Sequence, residues 1–238
     1  MRLTRQALVA FALLCGCAGA PPPKPAPPPE PPPKRVAPPP PLVKQELGDI
    51  DEGALKKTFA ALDVPLQSCF DAGRRRLPAL RGDARVYLRV GEDGRLRYGY
   101  YERTSLGDRA TERCALDAFA QASWPAPRGG EAEVRHEFGF DGAGKASASW
   151  EGEDGAAALA RAPKIRAAID KCKEGIDGRF YVTVHLTAAK KKRARVLSAG
   201  VAAPSREGEE RVECILKALR KLEVAGSARG TPKLELSL

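Results

Sequence analysis

Few residues in this chain could do chemistry: it has two histidines and six cysteines among 238 residues. His136 shares the apolar phase of an alternating segment with Val134 and Phe138, which favours a buried structural role over a catalytic one. His185 falls in the opposite phase of a later alternating segment, so we expect it to be exposed. The sequence contains no nucleophile elbow, zinc-protease helix, phosphate-binding loop or dinucleotide fingerprint. We therefore expect no catalytic residue, no bound metal and no small-molecule cofactor.

The first two cysteines lie in an N-terminal segment typical of protein export. Two arginines precede an apolar run, residues 7–14, which is too short for a membrane-spanning helix of about 20 residues. The run ends in Leu-Cys-Gly-Cys, residues 14–17, which resembles the lipobox of bacterial lipoproteins. That resemblance implies a signal peptide over residues 1–16 and acylation of Cys17. Ala18 stands where inner-membrane retention signals place aspartate, which implies the outer membrane. An ordinary signal peptide with incidental cysteines is the alternative.

Residues 17–50 form a proline-rich segment that cannot bury a core. Fourteen of the 21 prolines lie between Pro21 and Pro41. Proline fixes the backbone in an extended form, and 21 such residues reach about 65 Å. We interpret the segment as a disordered stalk that holds the following domains away from a membrane. A ligand for a proline-binding module is the alternative.

Four cysteines remain beyond the stalk, and their spacing is repeated. Cys69 and Cys114 are 45 residues apart, and Cys172 and Cys214 are 42 residues apart. An even number of cysteines in an exported chain favours disulfides, because that compartment is oxidising. We expect the pairs Cys69–Cys114 and Cys172–Cys214, each joining two helices. A four-cysteine metal site is the alternative, but the sequence has no Cys-x-x-Cys pair.

The order of elements is repeated as well: helix, strand, strand, helix, strand. In the first copy we expect a helix over 51–76, kinked or split at Pro65, a hairpin over 84–102 turning at Asp93-Gly94, a helix over 108–122 and a strand over 132–140. In the second copy we expect helices over 156–173 and 207–222 and strands over 180–186, 193–201 and 233–238. Residues 142–155 are small, polar and glycine-rich, which indicates a linker.

The first copy resembles a known family of envelope modules. The motifs that carry the resemblance are Cys69-Phe70, L-P-A-L-R-G at 77–82, V-G-E-D-G-R at 90–95, S-L-G-D at 105–108, Cys114, W-P-A-P at 124–127 and F-G-F at 138–140. Together they resemble the TonB-like C-terminal domain of the AgmX/PglI C-terminal family, found in envelope and motility-associated proteins of gliding bacteria. The second copy keeps Cys172, Cys214 and the strand pattern but lacks the G-x-D-G and W-x-A-P motifs, so it resembles the family only in fold. The resemblance implies an α+β fold of two tandem TonB-C-like domains, over 51–141 and 156–238. Each would have a three-stranded antiparallel sheet with two helices on one face. It also implies non-enzymatic periplasmic modules.

One face of the first predicted sheet is a candidate binding surface. The residues that share its outward phase are Arg85, Tyr87, Arg89, Arg95, Arg97, Tyr101 and Arg135. If both helices cover the other face, this one is open and basic, and it could hold an acidic envelope protein or an anionic envelope polymer. A merely solvated face, or packing of one copy against the other, is the alternative. We interpret the basic run at 190–193 as a solvated turn.

These features together predict a lipid-anchored binding or adaptor protein of the outer membrane, facing the periplasm. Its partners would be the membrane, through the lipid, and an envelope protein or polymer. Nucleic acid is not an expected partner in that compartment. A TonB-type energy transducer is the alternative, and that class requires a membrane-spanning N-terminal helix in place of a cleaved lipobox.

Overall fold

The computed structural model describes residues 47–141, 148–189 and 191–238. The predicted signal peptide, Cys17 and the proline-rich stalk lie outside these ranges. Within them, no helix has the length and apolar character needed to cross a membrane. The architecture is mixed α and β with two antiparallel sheets.

The first module, residues 51–141, has the predicted order of elements. These are α1 (Glu52–Arg76), β1 (Gly82–Val90), β2 (Leu96–Thr104), α2 (Arg109–Gln121) and β3 (Ala132–Phe140). The two helices begin at aspartates, Asp51 and Asp108, whose side chains accept a hydrogen bond from the backbone N–H three residues later. The helix is not split at Pro65, because α1 continues through it as one helix of 25 residues.

The first sheet has the strand order β2-β1-β3, with both pairings antiparallel. The predicted Asp-Gly turn joins β1 to β2, and Gly94 adopts the left-handed φ of +69° that this turn requires. Gly94 also packs closely against the backbone carbonyl of Trp124, and its own carbonyl accepts a hydrogen bond from the Trp124 N–H (3.1 Å). Two of the sequence motifs thus meet at one point of the fold.

The core of the first module lies between its sheet and its two helices. Leu66 and Phe70 of α1, Phe119 of α2 and Val86 of β1 are buried there. The predicted Cys69–Cys114 disulfide joins α1 to α2, with the Cα atoms 5.6 Å apart. Closing a loop of this length stabilises a fold by about 4 kcal/mol in the chain-entropy model.

The second module contains more elements than the sequence predicted. They are β4 (Ser149–Gly152), α3 (Gly155–Ala160), α4 (Pro163–Lys173), β5 (Tyr181–Leu186), β6 (Arg193–Ala202), α5 (Arg206–Glu209), α6 (Val212–Leu219), β7 (Glu223–Arg229) and β8 (Lys233–Ser237). Its sheet has five strands in the order β4-β7-β6-β5-β8, not the three that were expected. The prediction of a linker over 142–155 is wrong for its second part, because residues 149–152 pair with β7 as an edge strand.

Both predicted helices of the second module are broken in two. The first divides between Ala160 and Pro163. Pro163 takes the first position of α4, where no backbone N–H is needed within the helix. The second divides into α5 and α6 at Glu210 and Arg211, and it ends at Leu219, which leaves residues 223–229 to form β7.

A common pattern nevertheless relates the two modules. The strands β6, β5 and β8 repeat the order of β2, β1 and β3, and β7 and β4 extend that sheet beyond β6. The predicted Cys172–Cys214 disulfide joins α4 to α6 as its counterpart joins α1 to α2. The prediction of one disulfide within each module is confirmed.

Candidate binding surfaces

The outward face of the first sheet carries the predicted arginines, but β-bulges change which tyrosines share it. Arg85 pairs with Arg103 and Val86 with Tyr101, so the bulge between these pairs shifts the phase of β2 by one residue. Tyr101 consequently lies on the inward face and is fully buried, which corrects its predicted place on the binding surface. Tyr98 and Tyr100 stand outward instead, stacked beside Tyr87 at centroid distances of 6.0 and 4.9 Å.

Acidic side chains pair with most of the predicted arginines. The nitrogen–oxygen pairs are Arg85 with Glu137 (2.7 Å), Arg89 with Glu131 (2.8 Å) and Glu133 (3.0 Å), Arg97 with Asp93 (3.5 Å) and Glu131 (3.4 Å), and Arg135 with Glu102 (2.9 Å) and Glu133 (3.6 Å). Arg95 is exposed at the hairpin turn. The face is therefore a lattice of alternating charges and not the uniformly basic surface that was expected.

Packing reinforces this lattice around Tyr87. The Arg135 guanidinium lies 4.9 Å from the centre of the Tyr87 ring, and only 6% of Tyr87 is exposed. Burial, together with a hydrogen bond to Glu133, raises the pKa of Tyr87. Arg89 donates a hydrogen bond to Glu131, and this bond raises the pKa of Arg89 and lowers the pKa of Glu131. Arg89 and Glu131 thus stay charged and Tyr87 stays neutral. Because the opposite charges nearly cancel, this face has little net charge to offer a partner.

The second module covers β2, the edge strand of the first sheet. The backbone N–H of Ala203 donates to the carbonyl of Tyr101 across this junction (2.9 Å). Arg206 places its guanidinium 5.0 Å from the centre of the Tyr98 ring. Packing of one module against the other was an alternative in the sequence analysis, and it occurs here through the edge of the first sheet.

His185 lies inside this junction, so the prediction that it is exposed is wrong. Its side chain is fully buried, and Nε2 lies 2.9 Å from the Leu106 carbonyl, to which it donates. The neighbouring Thr183 hydroxyl donates to the Thr104 carbonyl (3.2 Å). The outward face of β5 is thus covered by residues 104–108 of the first module, which the alternation pattern cannot reveal. Burial lowers the pKa of His185.

Glu112 of α2 is the most deeply buried carboxyl of the junction. One oxygen accepts from the Thr104 hydroxyl (2.9 Å) and the other from the Val201 N–H (3.3 Å). Gly200 packs so closely against this carboxyl that a Cβ there would overlap it. Burial raises the pKa of Glu112 to about 7, although both hydrogen bonds and nearby Arg109 act in the opposite direction.

Charged side chains join the modules around these buried groups. Arg109 pairs with Glu209 (2.6 Å) and Glu213 (3.1 Å) of the second module. The Lys233 ammonium donates to the Ser105 carbonyl (2.6 Å) and to the Arg81 carbonyl of the first module. The junction therefore combines hydrogen bonds, ion pairs and buried ionisable groups from both modules.

A cleft of about 910 Å³ opens beside the junction. Arg85, Arg103 and Glu137 line it from the first sheet, and Tyr181 and Glu235 line it from the second. Its lining mixes acidic, basic and aromatic side chains, and Tyr181 is about half exposed. A cleft of this size can receive a short extended peptide segment.

The excess positive charge lies in the second module. Residues 51–141 contain 15 basic and 15 acidic residues, whereas residues 156–238 contain 18 basic and nine acidic residues. Part of this excess positive charge lies where the β5–β6 turn meets β7. We call the basic residues there the hairpin patch: Arg161, Lys191, Lys192, Arg193 and Arg195. The basic run at 190–193 is visible in the sequence, whereas Arg161 and Arg195 join it only because both contact Glu223 of β7 in the folded chain.

Across the ranges that the structure describes, no group of three or more His, Cys, Asp and Glu side chains is placed to hold a metal ion. Comparison of the chain with protein-family models, with curated proteins and with solved structures finds no match.

Proposed function

We propose that this chain is a non-enzymatic binding or adaptor protein of the bacterial cell envelope, anchored by lipid at Cys17 in the outer membrane and facing the periplasm. Its proline-rich segment would act as a stalk that carries two tandem TonB-C-like modules. The membrane, through the anchor, and an envelope protein or anionic polymer would be its partners.

The observation that carries this proposal is the pair of closed disulfides, one within each module. Structural disulfides persist in oxidising compartments and are rare in the cytosol of mesophiles. They agree with the export segment and lipobox of the sequence. The strand order of the first module, with two helices joined by Cys69–Cys114, supports the TonB-C-like assignment.

The charge lattice changes where we expect a protein partner to bind. Because Glu and Asp side chains already pair with Arg85, Arg89, Arg97 and Arg135, the first sheet is better suited to a partner of mixed charge than to a polyanion. The adjoining cleft also offers Tyr181, an exposed aromatic of the kind that anchors protein partners. We therefore place the protein-binding surface at the cleft and the adjoining lattice.

Two experiments in the native bacterium test the proposal. Cys17→Ser should block processing or release the chain from membranes, whereas Cys15→Ser should leave both unchanged. Crosslinking in intact cells, followed by mass spectrometry, should recover envelope proteins or polymers. Unchanged processing and membrane attachment of Cys17→Ser would contradict the anchor, and recovery of cytosolic proteins alone would contradict the location.

A component of a TonB-type energy-transduction or motility complex is a second candidate. Among the residues that the structure describes, β3 pairs only with β1, which leaves its other edge open to strand addition. An energy transducer must keep its N-terminal segment in the inner membrane. N-terminal sequencing of the mature protein therefore distinguishes the candidates, because a mature chain that begins at Cys17 excludes a transducer.

A further inference from the structure

The hairpin patch presents several cations around too few acids. Arg193 and Arg195 lie on the same face of β6, and both pair with the single carboxylate of Glu223 (3.2 and 3.1 Å). Their side chains are 65% and 76% exposed despite this pairing. Since one carboxylate cannot neutralise two guanidinium groups, this end of the sheet keeps a net positive charge.

Other residues add to this charge and fix its position. Arg161 donates to the Glu223 carbonyl (3.2 Å) and pairs with Glu153. Lys191 and Lys192 are exposed, and the Lys192 carbonyl accepts from the Gly226 N–H (3.0 Å), which ties the turn to β7. Counting Glu153 and Glu223 against the five cations of the patch leaves a net charge of +3.

An exposed leucine follows two of these arginines on β6. Leu197 occupies the bulge where His185 pairs with Ser198 and Leu186 with Val196, and it is 53% exposed. The next residue, Ser198, donates to Asp108 of the first module (2.7 Å), so Leu197 lies where the cover of the first module ends. Leu197 thus follows Arg193 and Arg195 on the same strand, four and two residues away, and more than half of it is exposed.

This combination distinguishes one kind of anionic partner from the others. Cations near a bilayer surface are attracted to the phosphates of anionic lipids, and an adjoining apolar side chain can enter the boundary between headgroups and acyl chains. A soluble polyanion would use the cations but would gain nothing from Leu197. The chemistry of the patch therefore favours a lipid surface over an anionic polymer.

We propose that the hairpin patch docks onto an anionic lipid bilayer, with its lysines and arginines at the headgroup phosphates and Leu197 at the acyl boundary. This contact is separate from the acyl anchor of the proposed function and does not depend on it. It would bring the second module to a membrane directly.

Co-sedimentation with vesicles tests the proposal on the whole chain carrying Cys17→Ser, so that no acyl group contributes. The vesicles are phosphatidylcholine with added phosphatidylglycerol, and pure phosphatidylcholine vesicles provide the reference for binding by the N-terminal apolar run. We expect binding that requires phosphatidylglycerol and weakens with salt. Since each cation near such a surface contributes about fivefold, Lys191→Gln with Lys192→Gln should weaken vesicle binding by about 25-fold.

Two further variants separate the patch from the net charge of the chain. Lys56→Gln with Lys57→Gln removes the same charge from exposed positions of α1 and should leave binding unchanged. Leu197→Ser should weaken vesicle binding several-fold and leave binding to soluble polyphosphate unchanged. Circular dichroism confirms that each variant is folded.

Three results would overturn the proposal. Equal weakening by the two lysine pairs would show that only total charge matters. Undiminished binding of the Lys191/Lys192 variant would remove the patch from the contact. Binding to polyphosphate as tight as to vesicles, with Leu197→Ser affecting neither, would identify an anionic polymer as the partner. Because every protein in these tests carries Cys17→Ser, the results do not depend on whether Cys17 is lipidated.

Discussion

Glu112 and Gly200 come from different modules and meet in direct contact: the carboxyl of one fills the space that a side chain on the other would need. Glycine at 200 is thus required by the neighbour and not by its own backbone conformation. The pair fixes how α2 of the first module lies against β6 of the second, and it places an ionisable group at the centre of the junction.

Gly200→Ala should therefore destabilise the protein by about 1–3 kcal/mol, the usual cost of overpacking a tight contact. Urea unfolding measures this loss. Gly53→Ala is a matched control, because a Cβ in that first turn of α1 meets open space apart from the Asp51 side chain at 3.5 Å. Alanine there should be neutral or slightly stabilising. Combining Gly200→Ala with Glu112→Ala should cost less than the sum of the two single changes, and strict additivity would show that the two residues do not interact.

Glu112 should also make stability depend on pH. Its pKa is raised to about 7 in the folded chain from an ordinary value of 4.5, so the folded state holds its proton more tightly than the unfolded state. The stabilising effect of this proton is complete below about pH 4.5 and is lost as the pH rises through about 7. The total change is about 3 kcal/mol for a shift of this size.

Urea unfolding at several pH values, compared between the wild type and Glu112→Gln, isolates this effect. Glutamine keeps the shape of the side chain and cannot ionise, so the difference in stability between the two proteins should change with pH over this window. Glu209 and Arg109, the charged groups that face Glu112, remain in both proteins. Parallel pH profiles for the two proteins would contradict the raised pKa.

His185 should lower the stability of the protein at acidic pH. Burial lowers its pKa below 6.5, and Lys233 and Arg81 add to that effect, so protonation opposes folding. The stability that the neutral imidazole contributes is complete above about pH 6.5 and declines as the pH falls below that value. His185→Gln keeps an N–H for the Leu106 carbonyl but should remove this acid-side loss. NMR titration of the imidazole checks the pKa directly, and an ordinary value would show that the ring is not buried.

The sequence predicted those features that arise from local patterns. Alternation along 84–90, the Asp93-Gly94 turn and the aspartate cap at Asp108 correspond to observed elements, as do both disulfides. β4 and β7 were missed because short, polar strands carry little apolar alternation. Their pairing depends on the neighbouring strand and not on their own composition.

The candidate site was harder to predict because it depends on contacts between distant residues. Bulges moved Tyr101 inward, and the junction buried His185. The charge lattice, in contrast, left a signal in the sequence: Glu133, Arg135 and Glu137 alternate in one phase of β3, which indicates an acidic strand beside the basic β1. Acidic residues in this phase therefore predict the lattice.

The disulfides should contribute stability separately in the two modules. Replacing both Cys69 and Cys114 by serine should lower the free energy of unfolding by about 4 kcal/mol, and the same change at Cys172 and Cys214 should have a similar effect. Non-reducing peptide mapping checks the pairing first. Free thiols in the exported protein, or bridges between the modules, would contradict it.

A charge swap offers the sharpest test of the lattice as a binding surface. Arg85 and Glu137 pair at 2.7 Å on neighbouring strands and line the cleft, and both side chains are substantially exposed. Arg85→Glu alone places two acids side by side and should lower the melting temperature slightly, because exposed pairs contribute about 0.2–1 kcal/mol. Arg85→Glu combined with Glu137→Arg restores the pair in the opposite orientation, so its stability should return to that of the wild type.

Binding should respond differently from stability to this swap. In the folded double variant the two charges of the pair are exchanged between the strands. A partner whose binding depends on the order of charges along the cleft should therefore crosslink about as poorly as it does to Arg85→Glu alone. The charge reversal Lys56→Glu, at an exposed position of α1 away from the cleft, should leave that yield unchanged. If the double variant at the cleft recovers the same partners at full yield, binding does not depend on the order of charges there. The open edge of β3, where backbone groups would make the contacts, then becomes the better candidate for the binding site.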